Sequence, residues 1–160
     1  MKRYLYFFLI TILFSGCSNF FLNPLNKGEK LFKQEKYEEA KGEFIKAMKD
    51  KDSQYKAKIY LGRIYAIQGD VKKAIEILEE ARDSALNAPD AYFYLGVVYQ
   101  LDSRYRDAEK ALDKLSNLPG YGKGWSIAPV MPPAGVGAGE PLKPGRRDFL
   151  IKVLKGKAFK

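Results

Sequence analysis

The chain has 160 residues, 46% of them apolar and 29% charged, with 28 Lys plus Arg against 19 Asp plus Glu, a single Cys and no His. That length makes one modest domain. The absence of His removes Ser-His-Asp, Cys-His and His-ligated zinc chemistry, and a lone Cys cannot form an internal disulfide. The formal charge of +9 sits at the two ends: Lys2 and Arg3 supply +2, residues 123–160 carry 8 basic against 2 acidic groups, and residues 17–122 are close to neutral. A basic pI produced by the ends does not mark a nucleic-acid-binding domain, and no nucleic acid is expected as a partner.

The chain opens with Met1-Lys2-Arg3 and a ten-residue apolar run, Leu5 to Phe14, interrupted in polarity only by Thr11. A membrane-spanning helix needs roughly 20 apolar residues. A positive start, a short apolar stretch and small residues before a cut describe a signal peptide instead, here residues 1–16. The segment Phe14-Ser15-Gly16-Cys17 resembles the lipobox of bacterial lipoproteins, with Phe14 where Leu is usual. An ordinary secretory signal, or an apolar N-terminal helix with an incidental Cys, are the alternatives. The resemblance implies that Cys17 is acylated and becomes the first mature residue, with residues 17–23 as a short tether. One acyl chain binds a bilayer only marginally, whereas two or three make the attachment effectively permanent. Ser18 after the Cys implies, by the sorting rules of such lipoproteins, the outer membrane. The expected location is therefore the bacterial cell envelope, lipid-anchored and facing the periplasm.

From residue 21 to 122 the chain repeats every 34 residues. Gly28, Gly62 and Gly96 share one register, and so do Leu31, Tyr65 and Tyr99; Tyr37, Val71 and Tyr105; Ala40, Ala74 and Ala108; and Phe44, Leu78 and Leu112. Within each repeat, apolar residues three or four apart on both sides of a break such as Gly69-Asp70 predict two amphipathic helices. Gly69 suits a left-handed stop, Asp70 an N-cap, and Asn23-Pro24 and Ala88-Pro89 put Pro where the first helical turn lacks a donor. The small residues at Gly62 and Ala74 are expected to face one another so that the paired backbones approach closely. The pattern Tyr92, Leu95-Gly96, Tyr99, Tyr105, Ala108 resembles the tetratricopeptide repeat. Residues 21–54, 55–88 and 89–122 resemble three copies of it, the first being the poorest because Leu25 and Leu31 replace aromatics. The resemblance implies an all-α, right-handed solenoid of helical hairpins, about six helices in all.

Proteins of this family hold a peptide or helix of another protein in a concave groove lined by the first helices. By family geometry the groove positions fall on Leu25, Glu29, Phe32 and Lys33; on Lys56, Ile59, Arg63 and Ile67; and on Asp90, Phe93, Val97, Gln100 and Leu101. The lining is apolar with a basic centre at Lys56 and Arg63, which suits a ligand with apolar side chains and an acidic group. The same apolar residues also suit packing between neighbouring helices, and the sequence leaves both roles open. The carboxylate clamp of tetratricopeptide cochaperones is absent, its positions being held by Leu25, Glu29, Tyr60, Asp90 and Tyr94.

The tail is a different polymer. Residues 119–145 contain 7 Gly and 6 Pro, a composition that sustains neither helix nor sheet and reads as a mobile or extended linker. Trp125, Ile127, Val130 and Met131 favour packing over the uncovered end of the third repeat as the alternative. Residues 146–160 form a basic, apolar element, helix or strand, with Phe149, Leu150, Val153 and Leu154 on one possible stripe. It could lie on anionic lipid, dock on a partner, fold back on the repeats or stay solvated.

The function expected from these features is a membrane-anchored adaptor or scaffold that binds a peptide or helix of an envelope complex, in outer-membrane assembly, secretion or pilus biogenesis. A self-associating structural lipoprotein and, less favoured, an accessory subunit of an envelope enzyme are the alternatives. No catalytic residue, cofactor or metal is expected, because no phosphate loop, metal-ligand spacing or nucleophile motif occurs. The paired carboxylates Glu38-Glu39 and Glu79-Glu80 sit among lysines on second helices, as a solvated face would.

Overall fold

A computed structural model describes residues 23–119, 130–132 and 140–158. The leader, Cys17 and its tether, and most of the Gly/Pro-rich segment with Trp125 and Ile127 lie outside the described residues. Those described contain seven α-helices: α1 (Pro24–Lys33), α2 (Tyr37–Ala47), α3 (Lys51–Ile67), α4 (Val71–Asp83), α5 (Pro89–Leu101), α6 (Tyr105–Ser116) and α7 (Pro144–Leu154). None of them is long and apolar enough to cross a membrane. Helices α1 and α2, α3 and α4, and α5 and α6 pair as hairpins, and each hairpin packs on the next.

The punctuation between helices is chemical. Asn23, Asp50 and Asp70 cap α1, α3 and α4, their side-chain oxygens accepting from the amides of Leu25, Ser53 and Lys73 at 2.9, 3.1 and 3.1 Å, which satisfies donors that the first turn leaves open. At the far end of each first helix one residue turns left-handed: Glu35 (φ 60°), Gly69 (φ 90°) and Ser103 (φ 58°). The amides that follow, on Lys36, Asp70 and Arg104, donate back to Leu31, Tyr65 and Tyr99, the six-to-one closure of a Schellman motif. These positions recur at the repeat period, so the turn is repeated in geometry although only one copy is Gly.

The three repeated glycines face a large side chain rather than a small one. A methyl group on Gly62 would lie 2.5 Å from Leu78 Cγ, on Gly96 2.5 Å from Leu112 Cγ, and on Gly28 2.6 Å from Phe44 Cε1. This corrects the expected pairing of Gly62 with Ala74: the hairpin closes by driving Leu78 against bare backbone. Phe44, Leu78 and Leu112 are fully buried, and each is the centre of its hairpin.

The tail departs from the six-helix expectation. Residues 144–154 form α7, which begins inside the segment expected to be linker, and it packs against α3 and α5. Leu150 and Leu154 are wholly buried and Val153 nearly so. Of the alternatives left open for the tail, the one observed is the helix folded back on the repeats: its apolar stripe faces them and is not available to anionic lipid, while Arg147 and Lys152 are exposed.

Candidate functional site: a groove with its own occupant

The first helices α1, α3 and α5 stand side by side, α3 touching both neighbours, and α7 crosses the face that α3 and α5 make together. Its C-terminal end lies on α3 and the α1–α2 turn, and its N-terminal end on α5, as two sets of polar contacts show.

At the C-terminal end, Arg63 of α3 is 7% exposed. Its Nε donates to the carbonyl oxygen of Leu154 at 2.8 Å, one of the carbonyls that the last turn of a helix leaves without an internal partner. The guanidinium lies over three rings, 4.5 Å from Phe32, 4.7 Å from Tyr94 and 4.9 Å from Tyr60, and no carboxylate among the described residues is ion-paired with it. Ring faces and a helix C-terminus carry negative charge, so together they hold a buried cation without a counter-ion. Burial pushes the phenols of Tyr60 and Tyr94 above their ordinary pKa, which keeps the cage neutral. Beyond α7, Lys155 pairs with Glu35 at 3.1 Å and Lys157 pairs with the same carboxylate. These two lysines hold the Glu35 carboxyl below its usual range.

At the other end, Gln100 of α5 is completely buried. Its amide nitrogen donates to the carbonyl oxygens of Gly96 (2.9 Å) and Val130 (2.7 Å), and its amide oxygen accepts from Arg146 of α7 at 2.7 Å. The same Arg146 nitrogen donates to the Met131 carbonyl at 2.6 Å, and Tyr105 donates to the Glu140 carbonyl at 2.6 Å. One glutamine thus ties α5, the linker at fully buried Val130 and α7. A buried amide with both ends satisfied is rigidifying, whereas a half-satisfied one is costly.

Part of the groove stays open. A cleft of about 170 Å³ is lined by Glu29, Lys56, Ile59, Tyr60, Arg63, Asp90 and Tyr94, drawing on all three first helices. Lys56 is exposed at its rim.

The structure therefore sorts the expected groove residues. Lys56, Ile59 and Arg63 meet at the open cleft. Phe32 lies beneath Arg63, and Gln100 lies beneath the linker and α7. Ile59, Phe93 and Val97 are buried in one apolar cluster with Leu150, Val153 and Leu154, against which Ile67 packs half-buried. Lys33 is exposed at the last position of α1. The groove is thus not an empty channel along its length, because α7 fills the part next to α5. Three participants were not among the expected groove residues, Tyr60 and Tyr94 having been noted only at the positions of the absent clamp. Tyr60 and Tyr94 carried a signal, an aromatic at the same position of successive repeats on either side of Arg63. Arg146 carried none, since nothing local distinguishes it from Arg147.

A tetratricopeptide-repeat family model matches residues 25–89 and again 68–121. The chain belongs to the tetratricopeptide-repeat family. No curated protein and no solved structure matches it. Membership makes protein binding the general role, and the helical-hairpin solenoid accounts for its shape.

Proposed function

We propose that this tetratricopeptide-repeat protein is a lipid-anchored adaptor of a bacterial cell envelope that holds a segment of a partner protein in the open part of its concave face. The observation that supports the reading is the cleft at Glu29, Lys56, Ile59, Tyr60, Arg63, Asp90 and Tyr94, which offers aromatic faces beside two cations and two carboxylates on helices that the family uses for recognition. Aromatic rings and Arg are the side chains from which binding hot spots are commonly built. The segment it suits carries an apolar side chain for Ile59 and the tyrosines, an acidic group for Lys56 at the rim, and a hydrogen-bond donor for Glu29 or Asp90. The anchor is Cys17, supported by the short apolar leader and the Ser15-Gly16 that precede it, and Ser18 favours the outer membrane.

Lys56 is the residue to change, because it is exposed at the rim and its loss leaves the core intact. Metabolic labelling with a fatty-acid analogue should mark the wild type and not Cys17→Ala. Affinity capture from crosslinked membranes should recover a defined envelope complex with the wild type and lose it with Lys56→Glu. Recovery of the same complex by Lys56→Glu would remove the cleft from the reading, and labelling of Cys17→Ala would remove the anchor.

A further inference from the structure

The clearest ligand for the groove is the one already in it. Helix α7 presents Arg146, Leu150, Val153 and Leu154 on one side, and each has its own receptor: the Gln100 amide for the guanidinium, the α3–α5 apolar surface for the three aliphatic side chains, and Arg63 for the last carbonyl. The polarity is set as well, with the helix C-terminus at Arg63. The two polar address points are eight helical residues apart, about 12 Å along a helix axis. Such a pair fixes both register and direction, because a helix shifted by one turn or reversed takes the α7 partners away from the buried Gln100 amide oxygen and from Arg63 Nε.

We propose that the part of the groove between Gln100 and Arg63 is a receptor for an amphipathic helix, that α7 is its resident occupant, and that a partner helix takes its place when it carries Arg at one position, apolar residues three, four, seven and eight positions on, and its C-terminal carbonyls at Arg63. The proposal rests on the adaptor reading above and extends it from the open cleft to the covered part of the groove. Three properties of α7 make it an exchangeable occupant. Its fully buried apolar contribution is confined to three aliphatic side chains, with Phe149 and Ile151 half-buried beside them. Its outer clasp, Glu35 with Lys155 and Lys157, is exposed. It is joined to α6 through residues 117–143, a long stretch rich in Gly and Pro, so release breaks no covalent continuity with the hairpins.

The test uses the full chain with a protease site in place of residues 134–138, before and after cleavage, and a fluorescent peptide of residues 140–158 as the probe. The cleaved chain should take up the probe saturably as its own tail exchanges. The intact chain should need roughly 100-fold more probe, because covalent connection holds α7 near its seat at an effective concentration near millimolar. Probe carrying Arg146→Glu or Leu154→Glu should not exchange. The proposal is overturned if the cleaved chain keeps its tail and takes up no probe, if cut and intact chains take it up equally, or if loss of the tail removes the helical circular dichroism of the hairpins. Failure of the adaptor reading would look different: the probe would exchange as described, yet no envelope protein would be captured by either form.

Discussion

Gly62 and Gly96 show how a single missing atom sets a hairpin. Each backbone receives a leucine at a distance that no β-carbon tolerates, and both leucines are wholly buried, so they have nowhere to retreat. Gly96→Ala should therefore lower stability by about 1–3 kcal/mol through overpacking, against the ~1 kcal/mol that Ala otherwise gains over Gly inside a helix. Gly42 is the control. It lies within α2, is exposed and has nothing within 4 Å of an added methyl, so Gly42→Ala should raise stability by about 1 kcal/mol. Urea denaturation of the two variants checks both signs; equal shifts in one direction would mean that helix propensity rather than the Leu112 contact governs these positions. The same comparison marks what was legible at this scale. The 34-residue column of glycines was visible, and so was the need for close approach. Which residue approaches was not, because Ala74 and Leu78 both lie on the inner side of α4 and the helix pairing decides between them.

At the scale of elements, hairpins and tail differ in how their positions were readable. Helices α1 to α6 follow from local signals, a periodic apolar face with a side-chain cap on α1, α3 and α4 and a left-handed stop after each first helix, and each packs on its neighbour in sequence. Helix α7 has an apolar stripe of the same kind but no neighbour in sequence to receive it, and the hydrogen bond from Arg63 to Leu154 spans 91 residues. A contact that distant leaves no trace in spacing, which is why the tail's alternatives stayed open and why Arg146 went unnoticed. Its outer clasp does have a pH signature. Glu35 has its pKa lowered, first by its hydrogen bonds to Lys157 and Lys155 and then by their charges. A carboxylate whose pKa is depressed in the folded state contributes above the ordinary Glu value of about 4.3 and loses that contribution as pH falls through the lower native value. Lys157, raised by the same partner, loses its share only as pH rises through a value above the ordinary lysine one, about 10.4. The C-terminal end of α7 should therefore loosen in acid and hold across neutral pH. Carboxyl chemical shifts of Glu35, followed with the amide signals of residues 152–158, should move together; Glu35→Gln should abolish the acid step, and an acid step that persists in that variant would assign it to another group.

Across the whole molecule, a solenoid of three hairpins is ordinarily a line of neighbours, each stabilised only by those beside it. Fraying from either end is then cheap, and local openings need not spread. Here the last helix returns to the middle of the array and clips onto the turn of the first hairpin through Lys155, Lys157 and Glu35. The line becomes a ring, in which opening the first hairpin strains the last. Denaturation followed by tyrosine fluorescence and by circular dichroism should give one shared transition for the intact chain. With Leu150→Glu and Leu154→Glu combined, which unseats the tail, the two signals should separate; coincident curves in that variant would mean that the hairpins need no such closure. A ring also couples its ends. Anything that lifts α7 from the groove frees the first hairpin, the one nearest Cys17 in the chain, so that occupancy of the concave face would be felt as looseness at the N-terminal end of the repeats.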